Sequence, residues 1–379
     1  MEKFISISVN QGDAFYLERE ERKILVDGGK SRNGFPQQFL RTTNSESIDI
    51  LVCTHADADH INGLLGLLDQ GFSIAEVWLP GAWTSRLEDL INRPDKFIFE
   101  AGIEIMEKDH GDESNLEEID ESTNPDCIEN VTPDEPCIEI SKIYSAIETQ
   151  EKNNEWKYRF SFEPLFYHQI HKMLGRDRDR DIYIDAIKTA EKIREMAILA
   201  YHSGAKIRWF EFGQKPTKNC GEKYLRPINS RETFQISKRK SALEYLSLSK
   251  ANKESLVFHS PTENGRANVL FSADSDLAFN SNLQKVGADS IITAPHHGSE
   301  HNKNAYQELT NNNVITNESI LIRSDGKYKS RPGNSYLQSV AKRACTLCRP
   351  YITPKQNVIF ESNGKGWLAS KDLNWCKCK

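Results

Sequence analysis

The chain has no apolar run approaching the roughly 20 residues that a membrane-spanning helix requires. Its opening residues, MEKFISISVNQGD, also lack the apolar stretch of an export signal. These two absences make a cytoplasmic protein, away from the membrane, the expectation. Cysteine is sparse, with eight residues; in a reducing compartment such thiols serve burial or metal ligation rather than a disulfide framework. No internal sequence repeat is apparent. What remains is a soluble globular composition, 38% apolar and 27% charged over 379 residues. That length suffices for one large domain or two ordinary ones with ample core.

The net charge of −6 conceals an uneven distribution. Residues 111–155 carry 14 acidic side chains against Lys142 and Lys152, so the rest of the chain is net positive. Within that remainder, residues 205–253 hold 12 basic and 4 acidic side chains. A polyanionic substrate is therefore compatible with the overall acidity, because a basic surface can face it while the acidic segment points elsewhere. The acidic segment, with its Pro and Asn residues, reads as a surface insertion or mobile loop.

The most telling stretch is His55-Ala56-Asp57-Ala58-Asp59-His60. It follows an apolar strand pattern at residues 48–52 and precedes an amphipathic helical pattern formed by Ile61, Leu64, Leu65, Leu67 and Leu68. A strand-to-helix turn lets alternate side chains converge, so His55, Asp57, Asp59 and His60 could surround one or two cations. Two imidazoles with two carboxylates suit zinc, manganese or iron better than calcium or magnesium.

Further strands are expected at residues 4–9, 14–18, 23–26 and 76–79, and helices at 61–68, 85–91 and 181–201. A second strand-rich half follows from residue 206, with strands at 206–210, 256–259, 269–272, 290–294 and 319–323. This pattern predicts an α/β architecture of two sheets packed face to face with helices outside. Two strands of the second half end in metal-capable residues: VLFSAD closes on Asp274, and IITAPHHGS on His296 and His297. Strand ends on one sheet edge converge, so Asp274 and one of these histidines could complete a site with the first cluster.

Taken together these stretches resemble the metallo-β-lactamase superfamily, and within it the hydrolase domain of ComEC-type DNA-uptake proteins and its free-standing relatives. VNQGDA is close to that group's VGQGDA, ILVDGG to its strand-DGG signature, and THADADHINGL to its SHxDxDHxGGL. SLVF followed by LFSADSD resembles SLVL…LLTGDxE, and APHHGS is nearly identical to the family form. The resemblance spans residues 4–299. It implies an αββα sandwich of two mixed β-sheets over residues 1–330, carrying the acidic insertion at about 111–155 and followed by a Cys-containing extension, 331–379.

Residue by residue, the resemblance places His55 and Asp57 at a first metal site and Asp59, His60 and His297 at a second, with Asp274 bridging. His297 is preferred over His296 because the family ligand precedes glycine. His296 would touch substrate or protonate a leaving group, and Asp59 would orient the metal-bound hydroxide that attacks the substrate. Asp27 would accept a hydrogen bond from a ligand histidine. The family's usual histidine before the SLVL-like strand is missing; Asn252 stands near its place. The same loss occurs in the ComEC-type group, and it leaves one well-ligated site and one conditional site. Zinc and manganese lead as cofactors, with magnesium following.

The resemblance implies a metal-dependent nuclease acting on DNA, with Lys238, Arg239 and Lys240, and the nearby Trp209, Phe210 and Tyr224, as candidate nucleic-acid contacts. Two other readings stay open: hydrolysis of a small lactone, thioester or cyclic nucleotide, and a non-catalytic regulatory domain. A protein partner or self-association is compatible with each. His202 and His259 are weaker candidates to replace the missing ligand. Near the C-terminus, Cys345, Cys348, Cys376 and Cys378 could form a four-thiolate structural zinc site or stay as reduced thiols. Cys127 and Cys137 are expected to be incidental, Cys53 to pack in a strand, and residues 176–180 to be a self-paired charged stretch.

Overall fold

The computed structural model describes residues 2–110, 138–152, 177–213, 220–250, 252–263, 265–279, 283–326, 328, 330–348 and 356–378. Cys127, Cys137 and Arg176 lie outside the described residues. Two compact units are present, one formed by residues 1–83, 192–233 and 247–379, the other by residues 84–191 and 234–246.

The first unit holds two mixed sheets. Its larger sheet contains β1 (Glu2–Ser6), β2 (Phe15–Arg19), β3 (Arg22–Val26), β4 (Ser47–Val52), β5 (Ser73–Pro80), β6 (Lys206–Phe212), β8 (Ser230–Thr233), β14 (Val358–Ser362) and β15 (Trp367–Ala369). Their order is β15-β14-β1-β2-β3-β4-β5-β6-β8, with β3, β4, β5 and β6 mutually parallel. The smaller sheet contains β7 (Arg226–Pro227), β9 (Phe258–Ser260), β10 (Val269–Phe271), β11 (Ile291–Thr293), β12 (Ile320–Arg323) and β13 (Lys342–Cys345). Its order is β13-β12-β11-β10-β9-β7, with β10 to β13 parallel.

Period-two alternation explains how the sheets pack. Phe4, Phe15, Leu17, Ile24, Val26, Ile50 and Val52 of the first sheet share one buried cluster with Phe258, Val269, Phe271, Ile291, Ile320 and Ile322 of the second. Phe271 lies 6.3 Å from both Phe4 and Phe15, ring centre to ring centre. The opposite faces take helices. Tyr16 meets Phe39 of α1 (Phe35–Thr43) edge-on at 5.6 Å. Leu270, Ile292 and Leu321 pack with Ala305, Tyr306 and Leu309 of α8 (Lys303–Asn311). The architecture is the expected sandwich.

Three aromatics proposed above as base contacts are instead core. Trp209 and Phe210 lie in the central, fully buried part of β6, and Tyr224 is buried in the inter-sheet cluster. Their ring area is withdrawn from water and cannot stack on a base. Residues 331–379, expected as an extension, supply β13, β14 and β15, and β14 pairs antiparallel with β1. They complete both sheets of the first unit rather than leaving it.

The second unit is helical. It includes α3 (Thr84–Asn92), α4 (Pro94–His110), α5 (Ile138–Lys152), the start of α6 (Asp177–His202) and the start of α7 (Ala242–Ser249). α5 falls inside the segment whose acidity suggested a loop. Ile140, Ile143, Ala146 and Ile147 recur at helical spacing and are buried, so apolar periodicity outweighs composition there. The Arg86 guanidinium binds Asp89 (2.7 Å), Glu100 (2.6 Å) and the Lys240 carbonyl (2.8 Å). The Glu104 carboxylate accepts from the first two backbone N–H groups of α7, at 3.0 and 2.7 Å. Among the described residues no helix is long and apolar enough to cross a membrane.

One close backbone approach in the first unit governs where the site forms. α2 (Ala58–Asp69) crosses the Asp27-Gly28-Gly29 turn so tightly that Gly28 N–H donates to His60 O (2.8 Å) and Gly63 N–H to Gly29 O (3.0 Å). A Cβ on Gly63 would stand 1.9 Å from the Gly28 carbonyl oxygen. We expect Gly63→Ala to push α2 off the turn and destabilise the fold by about 1–3 kcal/mol, the usual cost of overpacking. A lowered denaturation midpoint with unchanged slope is the check.

Candidate metal centre

Most residues of the cluster sit just past a strand, while Asp59 and His60 open α2 and Asp13 lies in the loop before β2. Asp27 follows β3; Thr54, His55 and Asp57 follow β4; Asp274 follows β10; His296 and His297 follow β11. These are C-terminal ends of parallel strands, where open α/β sheets place ligands. Asp27, Ala273, His296 and His297 all have left-handed backbone, at φ 58°, 47°, 48° and 53°. Non-glycine residues held there cost about 1–3 kcal/mol each and persist where packing over-determines them.

The three buried imidazoles are each fixed from behind. His60 Nδ1–H donates to Asp27 Oδ2 at 2.8 Å. Thr54 Oγ1–H donates to the same oxygen at 2.8 Å, its backbone N–H reaches Asp27 Oδ1 at 3.0 Å, and its Oγ1 lies 3.0 Å from His55 Nδ1. With the Thr54 hydroxyl proton spent on Asp27, His55 Nδ1–H is the donor in that last contact. His297 Nδ1–H donates to Asp13 Oδ1 at 3.0 Å. All three rings therefore turn Nε2 toward one another.

Those three Nε2 atoms and Asp274 Oδ1 are buried without a hydrogen-bond partner. Asp274 Oδ1 lies 3.4 Å from His60 Nε2 and 3.5 Å from His297 Nε2. Its Oδ2 lies 3.9 Å from His55 Nε2 and 3.6 Å from His296 Nε2. Such spacings are long for hydrogen bonds but suit donors sharing a cation at about 2.0–2.2 Å. Orphaned buried polar atoms are costly, so their convergence fits a divalent ion. Asp59, partly open to solvent, stands 3.7 Å from His297 Nε2 and takes a 3.4 Å hydrogen bond from Gln11 Nε2.

Asp57 is placed less favourably. It caps the start of α2 without using its side chain and lies 3.8 Å from His55 Nε2, but also 3.6 Å from Lys250 Nζ. The Asn252 amide meets the His296 ring at 3.4 Å. His296 Nδ1 is 3.1 Å from Asn302 Oδ1, and Asn302 Nδ2 donates to the Asp274 and Ser275 carbonyls at 2.7 and 3.0 Å. His202 ends α6, and buried His259 lies in β9, pushed down to about 3 by burial and the cations Arg19 and Arg226. Neither belongs to the cluster of buried donor atoms. Lys238, Arg239 and Lys240 belong to the second unit, where Arg239 pairs with Asp89 (2.8 Å) and Lys240 with Glu244 (3.8 Å). Cys53 is buried, its thiol donating to the His55 carbonyl at 3.2 Å.

Two positioning groups carry no assignment in the sequence reading. Asp13 lies close enough to His60, Asp274 and His297 to pass for a ligand, but its bond to His297 Nδ1 puts it behind that ring. Its signal was present: it is the carboxylate of the VNQGDA motif. Arg323, buried at the end of β12, donates to the His297 carbonyl at 2.7 Å and pairs with Asp325 at 3.3 Å. Ser324 Oγ–H donates to the Gly12 carbonyl at 3.0 Å, tying the Asp13 loop to the same strand end.

The electrostatics follow from burial set against near neighbours. Burial works against protonated His60, yet Asp274 and Asp27 override it and hold the ring well above the ordinary value. His297 is likewise opposed by burial and raised to about 9 by Asp13 and Asp274. His55 is lowered, by burial and by His60 beside it. Burial resists ionisation of Asp274, but His297, His60 and His55 hold it well below the carboxylate range. Burial similarly opposes ionised Asp59, and His60 and His297 outweigh it. A metal ligand must be deprotonated, so a cation entering here displaces protons from His60 and His297. Because both values are raised, those protons are fully held at low pH and lost only as pH climbs past the raised values. Apparent metal affinity is therefore expected to fall as pH drops below about 9, by up to about tenfold per pH unit for each proton released. Titration calorimetry in buffers of different ionisation enthalpy reads this directly; pH-independent affinity without proton release would contradict it.

Comparison with known proteins agrees with this geometry. Residues 7–90 match the family model of the metallo-beta-lactamase superfamily. The chain is 29% identical over 103 residues to exodeoxyribonuclease WalJ of Streptococcus pneumoniae serotype 2 strain D39, and equally to that of S. pneumoniae strain R6. The similarity covers 26% of this chain and 38% of the length of those relatives. The matched segment supplies Asp13, Asp27, His55, Asp57, Asp59 and His60, and the two mixed sheets with outer helices are consistent with the metallo-β-lactamase fold.

Proposed function

We propose that the protein is a metal-dependent nuclease that hydrolyses DNA phosphodiester bonds, and that within its superfamily it sits with the ComEC-type group. The observation that carries the reading is the convergence of His55 Nε2, His60 Nε2, His297 Nε2 and Asp274 Oδ1, all buried and unpartnered. The partial similarity to proteins named exodeoxyribonucleases supports DNA as the substrate. His60, His297, Asp274 and Asp59 would hold the better-ligated ion, zinc or manganese. His55 and Asp57, with Asp274, would hold a second, against competition from Lys250. When bound, divalent cations supply Lewis acidity that activates water near neutral pH and offsets charge on the phosphoryl oxygens.

The chain's own residues divide the remaining work. Asp59, the most solvent-open member of the better-ligated set, orients the water for attack. His296, with Nδ1 held by Asn302, stands at the open side and delivers a proton from Nε2 to the leaving oxygen. Asp13, Asp27 and Thr54 keep the rings aimed. At the rim, Tyr328 is 38% exposed with the Arg331 guanidinium 4.6 Å from its ring centre, and Arg331 is anchored by Asp325 at 3.3 Å. An exposed ring beside a fixed cation suits a base and its phosphate. The same reading carries a cytoplasmic setting.

The purified protein, supplied with Mn²⁺, Zn²⁺ or Mg²⁺, is expected to cleave linear or circular DNA. Asp274→Ala should abolish cleavage, and Asp27→Asn should lower it about 10–100-fold, as loss of an outer carboxylate usually does. Turnover of a lactone, thioester or cyclic nucleotide, with every nucleic acid left intact, would overturn the assignment. Tyr328→Ala is expected to raise KM for single-stranded DNA about tenfold, since stacking contributes about 1–3 kcal/mol per base. Steady-state kinetics with kcat little changed is the check.

A further inference from the structure

The four C-terminal cysteines are brought together by chain segments 28–33 residues apart. Cys345 ends β13 and Cys348 lies in the turn after it, while Cys376 and Cys378 lie beyond β15. Sγ–Sγ separations are 3.9 Å for Cys345–Cys378, 4.0 Å for Cys348–Cys376 and 3.6 Å for Cys348–Cys378. A disulfide needs about 2.0 Å. Four thiolates around zinc at about 2.3 Å stand roughly 3.8 Å apart at the tetrahedral angle. The observed edges match the second figure.

The surroundings are built to hold that arrangement. Gln356, buried, donates from Nε2 to the Cys345 carbonyl (3.0 Å) and the Asn374 carbonyl (2.7 Å), and its Oε1 accepts from Asn374 N–H (3.1 Å). Cys376 N–H donates to the Arg343 carbonyl (2.8 Å), and Trp375 bridges to Ala344. Lys377 N–H points at Cys348 Sγ from 3.2 Å, the kind of bond a thiolate accepts. β13 is the edge of the smaller sheet and β15 the edge of the larger.

We propose that Cys345, Cys348, Cys376 and Cys378 bind one structural zinc ion that staples the tail following β15 to the end of β13. The ion closes one side of the sandwich and covers an edge strand that would otherwise offer unpaired backbone groups. Its ligand set is closed, with no position for water or substrate, so its role is structural. The site is independent of the histidine–aspartate cluster in ligands and chemistry.

Cobalt separates the two sites, because only thiolates give a strong near-ultraviolet sulfur-to-cobalt charge-transfer absorption. The cobalt-loaded full chain is expected to show that band. Asp274→Ala should keep it, and the Cys376→Ser/Cys378→Ser pair should lose it together with one equivalent of zinc per chain. Should the cysteine variant fail to fold, the wild-type protein decides: its thiols should resist Ellman's reagent until zinc is removed, and removal should speed amide exchange at 342–345 and 374–378. A cobalt-loaded wild type without the band, equal thiol reactivity with and without metal, or unchanged exchange would overturn the proposal.

Discussion

The 2.8 Å hydrogen bond from His60 Nδ1 to Asp27 Oδ2 is the contact on which the rest of the metal centre depends. Asp27 is held in left-handed backbone at the end of β3, and its two oxygens also take the Thr54 hydroxyl and N–H. One carboxylate thus sets His60 directly and His55 through Thr54. The glycines beside it let α2 approach closely enough for the bond to form. A shift of this turn would rotate two imidazoles away from Asp274 at once.

Burial makes that arrangement expensive without compensation. Asp13, Asp27, Asp274, His55, His60 and His297 are all at most 3% exposed. Charges so placed must be paired or ligate a metal. Without a cation, protons retained by His60 and His297 balance the carboxylates, which is why both rings sit above their ordinary value. A divalent ion bound at the same focus would substitute for those protons, bringing the same two positive charges that the two imidazole protons supply.

Much of this was legible in the sequence because strand-end chemistry is local. An apolar run closing on Asp or His declares the strand and a candidate ligand, and His55, Asp274 and the His296–His297 pair are read that way. The role of Asp27 and the preference for His297 come with the family resemblance. Less visible were groups that act through another residue. Asp13 supports His297 across 284 positions of sequence; the VNQGDA motif contains it, but only the fold shows which ring it holds. Asn302 and Arg323 act on loop carbonyls, for the same reason unseen. The aromatic residues of β6 misled because ring type carries no sign of which face is buried. In α5, an isoleucine stripe was hidden beneath acidic composition.

The missing third histidine has a structural consequence beyond a reduced ligand count. Asn252 turns to His296 rather than toward the His55–Asp57 pair, and Lys250 places a positive charge 3.6 Å from Asp57. An ammonium group there partly satisfies the carboxylate that a cation would otherwise claim, so a second ion must displace that pairing to bind. His55 contributes little opposition, since it is already held below its ordinary value and offers a free lone pair. On the proposed reading, the asymmetry between two ion positions would originate at Asp57. The two oxygens of Asp274 face opposite ways, Oδ1 toward His60 and His297 and Oδ2 toward His55 and His296. A phosphate oxygen arriving at the open His55–Asp57 side would add the negative charge that this position lacks in ligands. On the proposed reading, occupancy of the weaker position and binding of a phosphodiester would be coupled through the same electrostatic deficit.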